Sequence, residues 1–303
     1  MKNNQLMIYG AYGYAGELMV REAVAQRLRP IIAGRDAEKL KPIATELSLE
    51  CRAFGVRNTG SNLQDISVLL NCAGPFSATA EPLARACLAQ QIHYLDITGE
   101  IDIFRKCHAL DEEARQQNVL ILPGAGTDIV PTDCLAAMLK EKLPVATRID
   151  LALSFGTNPS IGTVNTMIES FGKGGLIREG GMLKVVSNAF QMRKIPFQNK
   201  PQWAMTIPWG DVFTSGISTG VPDGAVYMAM PRMSIYMIRL TNPVKGILNT
   251  QFGQKITKRL AGWLMKKGPD AKALEAGRGQ FWGEAEAPDG EKLEMTMSTP
   301  NVY

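Results

Sequence analysis

The chain is short of the features that mark several protein classes. It has five cysteines (Cys51, Cys72, Cys87, Cys107 and Cys134), an odd number with no C-x-x-C pair. That spacing argues against a disulfide framework or a zinc site, and for scattered buried thiols in a reducing compartment. No apolar run approaches the roughly 18 residues that a spanning helix needs. No Lys/Arg tract is dense enough to leave a nucleic-acid footprint, and a net charge of +4 is only mildly basic. Residues 1–5 lead straight into the first apolar run without a signal-peptide pattern, so a cytoplasmic location is expected. What remains is a globular profile, 45% hydrophobic and 20% charged, over 303 residues, enough for two domains.

The stretch that organises the chain is Gly10-Ala11-Tyr12-Gly13-Tyr14-Ala15-Gly16. It follows Leu6-Met7-Ile8-Tyr9, an apolar run short enough for one buried parallel strand, and precedes residues 17–24, which alternate at helical spacing. Between a strand and a helix, glycines permit a tight turn and let a polyanion approach the backbone. The amides of the first helical turn then face a pyrophosphate. The spacing is G-x-x-G-x-x-G, a variant of G-x-G-x-x-G, and a plain tight turn is the competing reading. Residues 29–35 read as a second strand ending in Gly34-Arg35, where a dinucleotide fold that binds NAD(H) places an Asp or Glu about 20 residues past the glycines. A guanidinium there binds a 2′-phosphate that a carboxylate would repel, so the cofactor reading is NADP(H). Lys39 follows one helical turn later, and Asp36 stays open as a ribose contact.

Further strands are expected at 50–54, 66–72, 93–97 and 119–122, with helices at 36–47, from Phe76 to about Gln90, and from Glu100 to Gln117. Strands alternating with helices at this pace predict an α/β fold with a doubly wound parallel sheet. Ligands in such sheets sit beyond the carboxyl ends of the strands. Residues 10–16, Arg35, 71–76, 96–100 and 124–128 all fall at those ends.

Taken together, these segments resemble the saccharopine dehydrogenase-like oxidoreductase family. The carriers are GAYGYAG, AGRDAEKL, LLNCAGPFSATAEPLARAC, HYLDITGE and GAGTDIVPTD, followed later by SIGTVNTMIES and FWGEAEAPDGEKLEMTMSTPNVY. The resemblance implies a Rossmann domain with NADP(H), here 1–146, and a second, smaller α+β domain, here 147–303, that covers the nicotinamide. The family includes saccharopine reductases and trans-acting enoyl reductases. Ala125 and Thr127 depart from it, standing where a cysteine and an aromatic are often found. The glycine string also resembles the opening of acyl-phosphate reductases, which need a cysteine after Pro-Gly. Here Pro123-Gly124 is followed by Ala125, and Cys134 reads as core inside a helix at 131–143. Short-chain dehydrogenases need Tyr-x-x-x-Lys, which is absent.

In the second half, residues 148–155 alternate charged or polar with apolar side chains and predict a half-exposed strand of an antiparallel or mixed sheet. Ser160-Ile161-Gly162-Thr163 precedes an expected helix at 164–171 and reads as a cap or an anion cradle. The methionines, tryptophans and Phe213 between 182 and 237 read as core, with an apolar pocket as the other reading. The basic amphipathic stretch 244–267 reads as a surface helix docked on its own domain, in preference to one lying on a membrane.

The expected activity is NADPH-dependent reduction of a C=O, C=N or C=C bond in a small organic substrate, by a homo-oligomer. A non-catalytic NADP(H) sensor is the alternative. The expected cofactor residues are Gly10, Tyr12, Gly13, Tyr14, Gly16, Gly34, Arg35, Asn71, Ala73, Gly74 and Pro75. Hydride delivery needs a matching proton. Tyr94, Asp96 and Asp128 are the candidates to supply it, each with a structural alternative: Tyr94 as a core phenol, Asp96 and Asp128 as turn or cap formers.

Overall fold

A computed structural model describes residues 5–155, 174–244, 250 and 277–300. The chain divides into two compact units, Met1–Asp128 and Ile129–Tyr303. The division falls ahead of the expected one at 146, because the helix that follows Asp128 packs on the sheet of the second unit. Divided this way, the second unit is the longer one.

In the first unit, β1 (Leu6–Tyr9) leads into α1 (Tyr14–Ala25), and β2 (Ile31–Gly34) into α2 (Ala37–Leu47). β3 (Cys51–Ala53), β4 (Val68–Asn71), α3 (Phe76–Ala89) and β5 (His93–Asp96) follow. The expected single helix after β5 is two, α4 (Ile101–His108) and α5 (Asp111–Gln116). Leu110 turns into the core between them, and Asp111, Glu112 and Glu113 give the second helix an acidic first turn that its dipole favours. β6 (Ile121–Leu122) completes a sheet of order β3-β2-β1-β4-β5-β6, parallel throughout. Apolar side chains pack on both faces of this sheet, which is why β1, β2 and β4 read as continuous apolar runs.

In the second unit, α6 (Val130–Lys142) precedes β7 (Arg148–Phe155), the hairpin of β8 (Gly175–Glu179) and β9 (Met182–Val186), and the hairpin of β10 (Met192–Pro196) and β11 (Pro201–Thr206). Then come α7 (Asp211–Thr219), β12 (Asp223–Ala229), α8 (Arg232–Leu240), β13 (Gly279–Glu286) and β14 (Lys292–Thr299). The sheet is mixed: β7 pairs parallel with β12 and antiparallel with β13. β7 is buried, not half exposed, because it lies between those neighbours, and its charges are paired within the sheet. Arg148 meets Asp150 at 2.9 Å, and Asp150 also meets Arg193 of β10 at 3.4 Å.

All five cysteines are free thiols, but Cys51 and Cys134 are exposed, so Cys134 faces out from α6 and is not core. The methionines divide. Met205 and Met228 are buried, whereas Met182, Met233 and Met237 face outward. The turn at 160–163, the helix expected at 164–171 and, beyond Val244, the basic stretch to 267 lie outside the described residues. Among the described residues no helix is long and apolar enough to cross a membrane.

Candidate functional site

The strand order reverses between β1 and β4, and the loops that leave these two strands meet there. Gly10, at φ +87°, ends β1 so close to the β4 loop that a Cβ would stand 2.7 Å from the Ala73 nitrogen. A side chain at Gly16 would stand 2.2 Å from the Gly10 carbonyl oxygen, so the first turn of α1 lies directly on the glycine turn. Gly13 donates its N–H to the Gly10 carbonyl at 2.9 Å and stands at the N-cap with no side chain to cover the helix end. The first amides of α1 have no intrahelical acceptors, and at this position they form a cradle for an anion. Tyr14 opens the helix and is 52% exposed. The residues present therefore fit the pyrophosphate of a dinucleotide: close backbone approach, a helix N-terminus, and a place at the switch point of the sheet.

At the end of β2, Arg35 is exposed, and among the described residues no hydrogen bond or ion pair engages its guanidinium. The adjacent Asp36 is turned the other way. Its Oδ1 accepts from the N–H groups of Glu38 and Lys39 at 3.1 and 3.2 Å, which makes it the N-cap of α2. Capping explains this orientation, since an Asp here satisfies amides that would otherwise lack acceptors. The ring of Tyr12 lies against Gly34.

Beyond β4 and β5 the structure brings together residues that were expected to act separately. Asn71, Tyr94 and Asp96 are all fully buried. The Tyr94 hydroxyl donates to Asp96 Oδ2 at 2.8 Å and accepts from Asn71 Nδ2 at 3.1 Å. Asn71 Oδ1 accepts from the Ala73 N–H at 3.0 Å, and Thr79 Oγ1 donates to the Ala73 carbonyl at 2.6 Å. Asp96 Oδ1 accepts from the N–H groups of Thr98 and Gly124 at 3.0 and 2.9 Å. One buried chain of hydrogen bonds thus fixes the three loops that follow β4, β5 and β6.

The polar atoms of Tyr94 and Asp96 are buried and committed to the loops, which matches the structural alternative given for each. Burial, then the Asp96 charge, push the Tyr94 phenol far above its ordinary value. Burial also raises the Asp96 carboxyl, against the opposing effect of its hydrogen bonds. Asn71 and Ala73 hold this loop, whose Gly74–Pro75 peptide is cis. Thr79 went unnoticed in the sequence, although a threonine one turn after Pro75 is placed to reach back to the loop.

Asp128 differs. It is only partly buried, burial pushes its carboxyl up to about 6, and its Oδ2 lies 3.4 Å from where a Cβ of Gly99 would stand. A carboxyl near neutrality suits an acid catalyst.

A parallel sheet of this order, with a glycine turn and helix N-terminus at its switch point, defines a Rossmann-type dinucleotide-binding unit. More particularly, residues 6–122 match the family model of the saccharopine dehydrogenase NADP-binding domain. The chain is also distantly similar to a saccharopine dehydrogenase-like oxidoreductase of Rattus norvegicus, 26% identical over 231 residues that cover 67% of this chain and 53% of the relative. A Mycobacterium tuberculosis protein provisionally named a trans-acting enoyl reductase is 28% identical over 206 residues, covering 61% of this chain and 44% of that protein. The chain spans about half the length of the curated relatives it matches. Among solved structures, the saccharopine dehydrogenase (L-Glu forming) of Saccharomyces cerevisiae shares the fold, with a TM-score of 0.65 over 98% of this chain and 85% of that one, at 9% identity.

Proposed function

We propose that the chain is an NADPH-dependent oxidoreductase that reduces a C=O, C=N or C=C bond of a small organic substrate. The observation that carries the cofactor choice is the pair Arg35–Asp36. The cation at the end of β2 is exposed, and the carboxylate beside it serves α2 as a cap. The Rattus norvegicus and Mycobacterium tuberculosis relatives, with their oxidoreductase names, support the reaction class.

In this reading the amides of the first turn of α1 hold the pyrophosphate, and Arg35 holds the 2′-phosphate with charge-assisted hydrogen bonds. The bound nicotinamide supplies a hydride. Asp128 supplies the matching proton, its raised pKa keeping a useful fraction of the acid at neutral pH. Tyr94, Asp96 and Asn71 act at one remove, by fixing the loops.

Arg35→Ala tests the cofactor assignment. A hydrogen bond to a charged group is worth about 1.5–3 kcal/mol, so NADPH binding should weaken roughly 10- to 150-fold while NADH binding barely changes. If the wild type binds NADH as tightly as NADPH, the assignment is wrong. The burial of Tyr94 and Asp96 favours a second reading, a non-catalytic NADP(H) sensor, since it leaves a single proton donor among the three candidates. Tight, reversible NADPH binding with no oxidation across a panel of carbonyl, imine and enoyl compounds would select the sensor.

A further inference from the structure

We infer that Lys39 is a second cation of the phosphate subsite and that the Tyr12 ring holds it there, so that NADPH is selected by a pair of cations on either side of Asp36. The inference rests on the NADP(H) reading proposed above.

The geometry runs from the glycine turn to the second helix. A Cβ on Gly34 would stand 2.6 Å from Tyr12 Cε1, so the Tyr12 ring occupies the space that a side chain at the end of β2 would fill, next to Arg35. The Lys39 ammonium lies 5.7 Å from the centroid of that ring, within range of a cation–π contact. It also stands 3.7 Å from Asp36 Oδ2, an ion pair too long for a hydrogen bond. An ammonium has three N–H donors, and neither contact consumes one in a short hydrogen bond. Lys39 is thus fixed in direction with donors to spare, 66% exposed and one turn from Arg35.

The electrostatics supply the reason for a second cation. The Asp36 carboxylate adjoins Arg35, so its charge opposes a 2′-phosphate that Arg35 attracts. Lys39 offsets that carboxylate and adds a donor on the far side of it. Tyr12 belongs to the loop that receives the pyrophosphate, so one side chain sets the spacing between the two phosphate sites.

The test uses the full chain and follows binding alone. NADPH and NADH are titrated by fluorescence, and adenosine 2′,5′-bisphosphate by calorimetry, at several salt concentrations. Lys39→Ala should weaken NADPH and the bisphosphate about 3- to 10-fold, leave NADH unchanged, and make the salt dependence of binding shallower. Tyr12→Phe, which keeps the ring, should behave as wild type, whereas Tyr12→Leu should reproduce part of the Lys39→Ala loss. Unchanged NADPH binding in Lys39→Ala, or equal weakening of both cofactors, overturns the inference. Wild-type binding in Tyr12→Leu overturns the role of the ring. Arg35→Ala separates the two readings. If it is NADPH-selective and Lys39→Ala is not, only the second cation fails; if neither is selective, the cofactor reading fails first.

Discussion

Replacing Tyr94 by Phe removes a single oxygen from the centre of the first unit. The ring volume is kept, so the cost lies in the polar atoms left behind. Asp96 Oδ2 loses its 2.8 Å donor, whereas Asn71 Nδ2 loses one acceptor at 3.1 Å and keeps Thr79 Oγ1 at 3.2 Å. An orphaned buried polar group costs about 1–3 kcal/mol, and Asp96 Oδ2 is the one group left without this bond, so about 1–3 kcal/mol is expected. A chain of two units has no single unfolding free energy, so a local measurement is the appropriate one. Hydrogen exchange of the Ala73, Thr98 and Gly124 amides reports it, since these amides donate to Asn71 and Asp96. Their exchange should accelerate roughly 5- to 150-fold, the same 1–3 kcal/mol expressed as an opening equilibrium. The pH dependence has a definite sign. A carboxyl raised by burial contributes stability that is fully present below its ordinary pKa and is lost as pH rises to its folded value. The Tyr94 bond opposes that rise, so without it the decline extends to higher pH and the deficit of the variant grows as pH rises above the ordinary carboxylate range. Unaltered exchange of these amides, or a deficit independent of pH, would refute the proposed coupling of Tyr94 to Asp96.

Gly10→Ala sets a Cβ 2.7 Å from the Ala73 nitrogen at a backbone φ of +87°, so neither side-chain rotation nor an ordinary backbone angle relieves it. At about 1–2 kcal/mol for the left-handed conformation alone, the variant should melt lower and bind NADPH at least about tenfold more weakly, as read by calorimetry and fluorescence titration. If Asp128 is the proton donor, its acid form is the active one, and turnover on a substrate found by screening should fall as pH rises past about 6. Asp128→Asn should remove that limb of the profile and most of the rate while leaving NADPH affinity intact; a limb that persists in the Asn variant assigns it to another group.

The first sheet was legible in the sequence because parallel strands covered on both faces leave short apolar runs, and Leu6–Tyr9 and Val68–Asn71 are such runs. The glycine turn was legible because its constraint is local: Gly10 and Gly16 are needed by contacts a few residues away. The fate of Tyr94 and Asp96 was not. The segment HYLDITGE reads alike whether these side chains meet a ligand or the neighbouring strand. The pairing of Asn71 with Asp96 and of Leu69 with Tyr94 decides between the two, and register is a property of the folded sheet. The same holds for β7, where charged and apolar residues alternate as on an exposed strand. Asp150 is nevertheless buried, because Arg148 and Arg193 neutralise it, and Arg193 arrives from a strand that lies far along the chain.

Asp36 shows how a local rule bears on the proposed choice of cofactor, which composition leaves open. A carboxylate at the end of β2 suits a ribose, and a guanidinium in the same place suits a phosphate; this chain has both, side by side. An Asp at a helix N-cap contributes about 1 kcal/mol by accepting from the first-turn amides, and both of the amides it accepts from here belong to α2. The cap ties the Asp36 carboxylate to α2, so turning it toward a ribose competes with those bonds. Arg35 has no competing partner of this kind among the described residues, so the phosphate contact costs it only side-chain entropy. The balance between the two residues therefore rests on where α2 begins, and that start is set by Asp36 itself.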